Sequence, residues 1–201
     1  MAERLTGFSI KLASQNSVLV MLTRPVYTRF PRVQIWRRGV AFLIDFVGVW
    51  LLSSLLGGNM PGFQAARIVV FVLAWLGLRV LLVYKNQGQS LGRFALDMKV
   101  LDVQLGRVPD LQALFKREGV TGFCALLVAI GLSYIGAGNL GGVLLMVPLG
   151  IDCGIALSDT QVRQTVHDRI ARTMMVSTRR GYSLDIKVKR LLAFVRTRVI
   201  K

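Results

Sequence analysis

Three ionisable side chains interrupt otherwise apolar stretches of this 201-residue chain: Asp45, Arg79 and Asp152. A charged side chain at the centre of a membrane helix costs about 2.5–3.5 kcal/mol on insertion scales, and less near an interface. Such groups are paired with one another or put to use. Two carboxylates and a guanidinium at one level can bind a cation or relay a proton; equally, they can lock helices together. Arg38 stands seven residues before Asp45. That spacing puts both on one helical face, about 10 Å apart along the axis, with Ala41 between them leaving room for a neighbour. Asp152 lies between Gly150 and Gly154, a spacing that lets a second helix come close.

The elements that must carry these residues follow from apolar length and charge. A helix needs about 20 apolar residues to cross a ~30 Å hydrocarbon core. Gly39–Leu56 and Arg67–Tyr84 fit. Val120–Leu157 is apolar throughout and is broken by "GAGNLGG" at Gly136–Gly142, a turn signal that splits it into Val120–Ile135 and Asn139–Leu157. Counted from the basic ends, Asp45, Arg79 and Asp152 then lie at a shared depth of roughly 8–9 Å.

Charge orients the spans. Residues 1–38 hold seven Lys and Arg, residues 85–119 hold six and residues 158–201 hold eleven, whereas 57–66 and 136–138 hold none. Basic segments face the cytoplasm. The expectation is therefore an all-α, multi-pass membrane protein of four spans with both termini cytoplasmic. Three spans with the tail outside are the alternative, at the cost of eleven positive charges on the wrong face.

Composition excludes several other classes. Mean hydropathy is +0.54 and 53% of residues are hydrophobic, yet the net charge is +16. Apolar spans with basic ends explain both numbers. The positive charge is spread over three segments without aromatic interleaving, so no nucleic-acid partner is expected. Cys124 and Cys153 lie in apolar runs without metal or disulfide spacing. The one histidine, His167, stands beside Asp168 in "VHDR", which braces a helix more readily than it catalyses. No nucleophile set, phosphate loop or metal motif appears, so neither an enzyme nor a cofactor nor a metal is expected.

The cytoplasmic segments carry their own signals. Ser90 can cap a short helix through Leu96, and "MKVLDV" followed by the turn residues "LGRVPD" reads as a small strand or hairpin. In the tail, Leu184, Val188, Leu191, Val195 and Val199 share one face of a basic amphipathic helix suited to anionic lipid headgroups or an acidic protein partner. Residues 1–30 read as a basic arm without periodicity.

The stretch "RRGVAFLID", the segment "GQSLGRFALDMKVLD", "FKRE", Asp152 and "RQTVHDRIARTMMV" resemble, in order and spacing, the RDD family of membrane proteins. The resemblance covers roughly residues 30–180. It implies that Arg38, Asp45 and Asp152 occupy the family's three eponymous positions, and it draws attention to His167, Asp168, Arg169 and Thr173. The family usually reads "HDRLAGT", and here Arg172 takes the glycine position. The resemblance implies a membrane domain at 31–180 in a bacterial plasma membrane or a thylakoid, with an unassigned role between ion or ligand transport and membership of a larger assembly. From the residues, the expectation is translocation of a cation, proton or small ligand at Arg38, Asp45, Arg79 and Asp152, in a homo-oligomer. An accessory protein held together by the same charges is the rival.

Overall fold

The computed structural model describes residues 30–31, 33–55, 61–158 and 163–178, with Leu184 and residues 186–188 of the tail. The basic arm, and Leu191, Val195 and Val199 of the amphipathic stretch, lie outside the described residues. Leu184 and Val188 are helical and exposed.

Helix α1 is Ile35–Ser54. Its buried residues Ala41, Asp45, Val49 and Ser53 recur every fourth position, one stripe of a helix, and Leu43, Val47 and Leu51 on the remaining surface are exposed. Helix α2 is Pro61–Leu76, continued by a π-helical turn at Gly77–Leu81 and a last α-turn at Leu82–Lys85. The two helices meet through aromatic rings. Phe42 stacks on Phe46 with centroids 6.0 Å apart, Phe71 stacks on Trp75 at 5.9 Å, and Phe42 meets Trp75 edge to face at 5.8 Å. Each such pair adds roughly 0.5–1.5 kcal/mol beyond the area it buries.

A short helix, α3 (Leu91–Ala95), leads to strand β1 (Met98–Asp102). The Ser90 hydroxyl caps α3 by accepting from the Arg93 N–H. Helix α4, Leu111–Gly136, opens on Asp110, whose carboxylate accepts from the Ala113 N–H at 2.9 Å. It begins nine residues before the expected span at Val120, which places Arg117 and Glu118 on the helix rather than in a surface segment.

The glycine-rich turn reverses the chain as expected. A 3-10 stretch (Leu140–Met146) and helix α5 (Val147–Ser158) then return along α4. Gly131 and Gly142 make this possible, since a Cβ on either would collide with the other's carbonyl oxygen. Helix α6 (Val166–Ile170) and strand β2 (Thr173–Ser177) complete the described chain.

Three segments, Gln64–Lys85, Leu111–Gly136 and Leu140–Ser158, are long and apolar enough to cross a membrane. No more than 28% of the most apolar window of any of them is buried. In water such exposure would be untenable; against lipid it is what a span presents. The chain is thus mostly helical and membrane-spanning.

The fold is not purely α. β1 does not form a local hairpin but pairs antiparallel with β2, with Val100 opposite Met175. Met98, Val100, Leu101, Met174 and Val176 of the ribbon are buried. The ribbon ties the segment after α2 to the segment after α5. Just before β2, Arg172 adopts φ +52°, the left-handed conformation. Glycine takes this conformation freely and other residues pay about 1–2 kcal/mol for it. Arg172 is therefore strained where a glycine would not be.

Candidate functional site

Asp45 is buried on α1, one turn beyond Ala41. It receives three donors: Arg79 Nη1 at 3.0 Å, the Ser90 hydroxyl at 2.6 Å and the Gly92 backbone N–H at 2.7 Å. The last two come from the start of α3, which can approach because residue 92 is glycine. A Cβ there would run into the Ala41 carbonyl. Ala41 does have a close neighbour, and it is α3 rather than another span.

Arg79 sits in the π-helical turn of α2, where the wider backbone projects it between Phe42 and Trp75. Its guanidinium carbon lies 4.8 Å from the Trp75 ring centroid and 5.6 Å from that of Phe42. Its Nε donates to Glu118 at 2.7 Å, so Arg79 bridges two carboxylates. Glu118 also accepts from Arg93 Nη2 at 2.6 Å and lies 3.7 Å from Arg117 Nε. It is the hub joining α2, α3 and α4, and it is fully buried.

Arg38 does not pair with Asp45. Its Nη1 donates to the Arg163 carbonyl at 2.5 Å and to Asp168 at 3.4 Å. Asp168 further accepts from Arg117 Nη2 at 3.1 Å and from the Thr173 hydroxyl at 3.2 Å. With Thr165 it forms a capping box that starts α6. Asp152 does not meet an arginine either. It takes the His167 backbone N–H at 3.1 Å and ring Nδ1 at 2.5 Å. A proton on Nδ1 satisfies Asp152 and leaves Nε2 to accept from the Thr165 hydroxyl, 3.0 Å away. Arg169, exposed on α6, stands apart from these contacts. A Cβ on Gly150 or Gly154 would meet nothing within 4 Å, so their spacing brings no close helix approach among the described residues.

The sequence thus identifies the pair Asp45–Arg79 but not the hub. Glu118, Arg117 and Arg93 went unassigned because each falls outside the apolar runs. The signals for them were "FKRE" and "GQSLGRF", visible as motifs without an evident role.

Burial raises the Asp168 pKa, but the charges of Arg117, His167 and Arg38 outweigh it and hold the carboxyl at about 2. Its ordinary value is 3.8. A depressed acid stabilises the fold above its unfolded pKa, and that stability is lost as pH falls through the folded value. We expect the docking of α6 and β2 to weaken between about pH 4 and pH 2 by about 2 kcal/mol. Hydrogen exchange of the Thr173–Ser177 amides in detergent, followed against pH, measures it. In Asp168→Asn the same amides should exchange fast at all pH values; a wild-type profile flat to pH 2 would contradict the assignment. Arg93 is lowered too, but by burial, which takes it to about 10 with Glu118 opposing, so it remains cationic at neutral pH.

The arginines also bound a cavity of about 120 Å³. Arg38, Arg79, Arg93 and Arg117 line it together with apolar surface from Phe42 and Ala156.

The membrane helices agree with the comparison to known families. No curated protein and no solved structure matches the chain. The sequence model of the RDD family matches residues 32–172, a stretch that contains α1 to α6 and every charged residue of the network. The chain belongs to the RDD family.

Proposed function

We propose that the chain is a non-catalytic, four-span membrane protein with both termini and residues 85–119 cytoplasmic, which binds and translocates a small ligand at the arginine-lined cavity. The observation that carries this reading is the cavity itself, set among the buried guanidinium groups of Arg79, Arg93 and Arg117 and the partly buried Arg38, where the membrane helices meet α3 and α6. α1 supplies the fourth span. Its Arg37, Arg38 and Asp45 make it less apolar than the other three, and Asp45 is compensated.

Small-ligand handling is better supported than cation binding. A cation needs carboxylate lone pairs, and those of Asp45, Glu118 and Asp168 are engaged by arginine, hydroxyl and amide donors. The same saturation favours a second reading, an accessory protein in which the network is only a clamp and the basic surfaces bind anionic lipid or an acidic partner.

The test is flux into proteoliposomes for sodium, potassium, protons and small organic acids, with sidedness fixed by cysteine labelling. Residues 60 and 139 should label from outside, and 99 and 189 from inside. Uptake of an organic acid but of no metal cation is the expected result. Cation flux alone removes the small-ligand reading, and no flux by any solute in correctly oriented vesicles removes the transport reading. Labelling of position 189 from outside removes the four-span topology.

A further inference from the structure

Arg93 and Arg117 are each 1% exposed, yet Nη1 of Arg93 and both Nη1 and Nε of Arg117 find no hydrogen-bond acceptor among the described residues. Buried guanidinium donors left in this state are costly, because desolvation is not repaid. Both side chains line the cavity.

Arg38, Arg79, Arg93 and Arg117 share three carboxylates, those of Asp45, Glu118 and Asp168. The donors left unused, on Arg93 and Arg117, belong to arginines that border the space.

We propose that the cavity is a binding site for a short-chain monocarboxylate, of the acetate-to-butyrate class. The carboxylate meets the spare donors of Arg93 and Arg117, a geometry that guanidinium groups favour. The hydrocarbon end lies against Phe42, Ala41 and Ala156. Size limits the class, since a cavity of about 150 Å³ takes benzene, and this one is smaller at about 120 Å³. A halide would leave the apolar wall bare, and the second carboxylate of a dicarboxylate would share the cavity with Asp168, which also lines it. This inference rests on the small-ligand reading and names its substrate class.

Equilibrium dialysis of the full chain with radiolabelled propionate tests it, in detergent and in nanodiscs of neutral or anionic lipid. One saturable site per chain is expected, displaced by acetate and butyrate. Benzoate, and sodium chloride at matched ionic strength, should leave it in place. Ala156→Leu fills the apolar side and should weaken binding at least tenfold while leaving the network untouched. Arg117→Lys keeps the charge and removes the spare donors, and should weaken it similarly. Unchanged propionate binding in a folded Ala156→Leu chain overturns the site. Displacement by chloride overturns the carboxylate assignment. Loss of binding only in anionic-lipid nanodiscs assigns the site to a lipid headgroup and overturns the free acid. Binding without flux would leave this inference standing and remove only the transport reading.

Discussion

Glu118→Gln should prevent the chain from accumulating as a folded protein. The substitution keeps the side chain's shape and one acceptor, but takes the charge from a carboxylate that serves Arg79 and Arg93 directly and stands beside Arg117. Breaking a buried ion pair by removing one partner costs about 3–5 kcal/mol. Here the loss falls on several guanidinium groups at once, against a total stability of roughly 5–15 kcal/mol. Fluorescence-detected size exclusion of the solubilised chain should show aggregate in place of a monodisperse peak. Asp45→Asn should be milder, because Asn still accepts from Ser90 and Gly92 and Arg79 keeps Glu118. A Glu118→Gln chain with wild-type melting behaviour would mean that the hub carries little of the fold's stability.

Gly92→Ala comes next in size. The added Cβ meets the Ala41 carbonyl oxygen, carbon and Cα, all of them backbone atoms. Overpacking of a tight contact costs about 1–3 kcal/mol when side chains can yield; backbone cannot yield so cheaply. Displacing α3 from α1 also withdraws the Gly92 N–H and the Ser90 hydroxyl from Asp45. The expected result is a melting temperature lowered by about 5–10 °C, from roughly 2–4 °C per kcal/mol in a chain of this size. Because the collision is with main chain, Ala41→Gly should not rescue it. Rescue by Ala41→Gly would show that the two segments are held apart by side chains, contrary to the packing described.

Three of the four expected spans were legible because long apolar runs and a glycine-rich turn are strong local signals. Gly136–Gly142 marked the reversal between α4 and the returning segment for that reason. β1 was legible from its alternation, but its partner was not. Alternation fixes which side chains face inward and says nothing of which distant strand completes the ladder, and Thr173–Ser177 is too short to stand out. At the site, Asp45 and Arg79 could be matched because both interrupt apolar helices at equal depth. Sharing a helical face does not bring Arg38 to Asp45, because Asp168 on α6 arrives from elsewhere and takes Arg38. Glu118 escaped notice because charge beside charge in "FKRE" reads as a solvated helix end. Only the early start of α4 and the docking of α3 carry that end inside.

The aspartate and arginine of the α1–α2 pair have a consequence for biogenesis. During synthesis, Arg79 emerges before Glu118, Arg93 and Asp168 exist, and would enter the bilayer as an uncompensated cation. Asp45 precedes it by 34 residues. The two charges can neutralise each other as soon as the second helix leaves the ribosome, so α1 and α2 are suited to partition into lipid together as a hairpin. Residues that arrive later add contacts to a charge already quenched. The order of residues along the chain thus gives Arg79 a counter-charge from the moment it meets lipid.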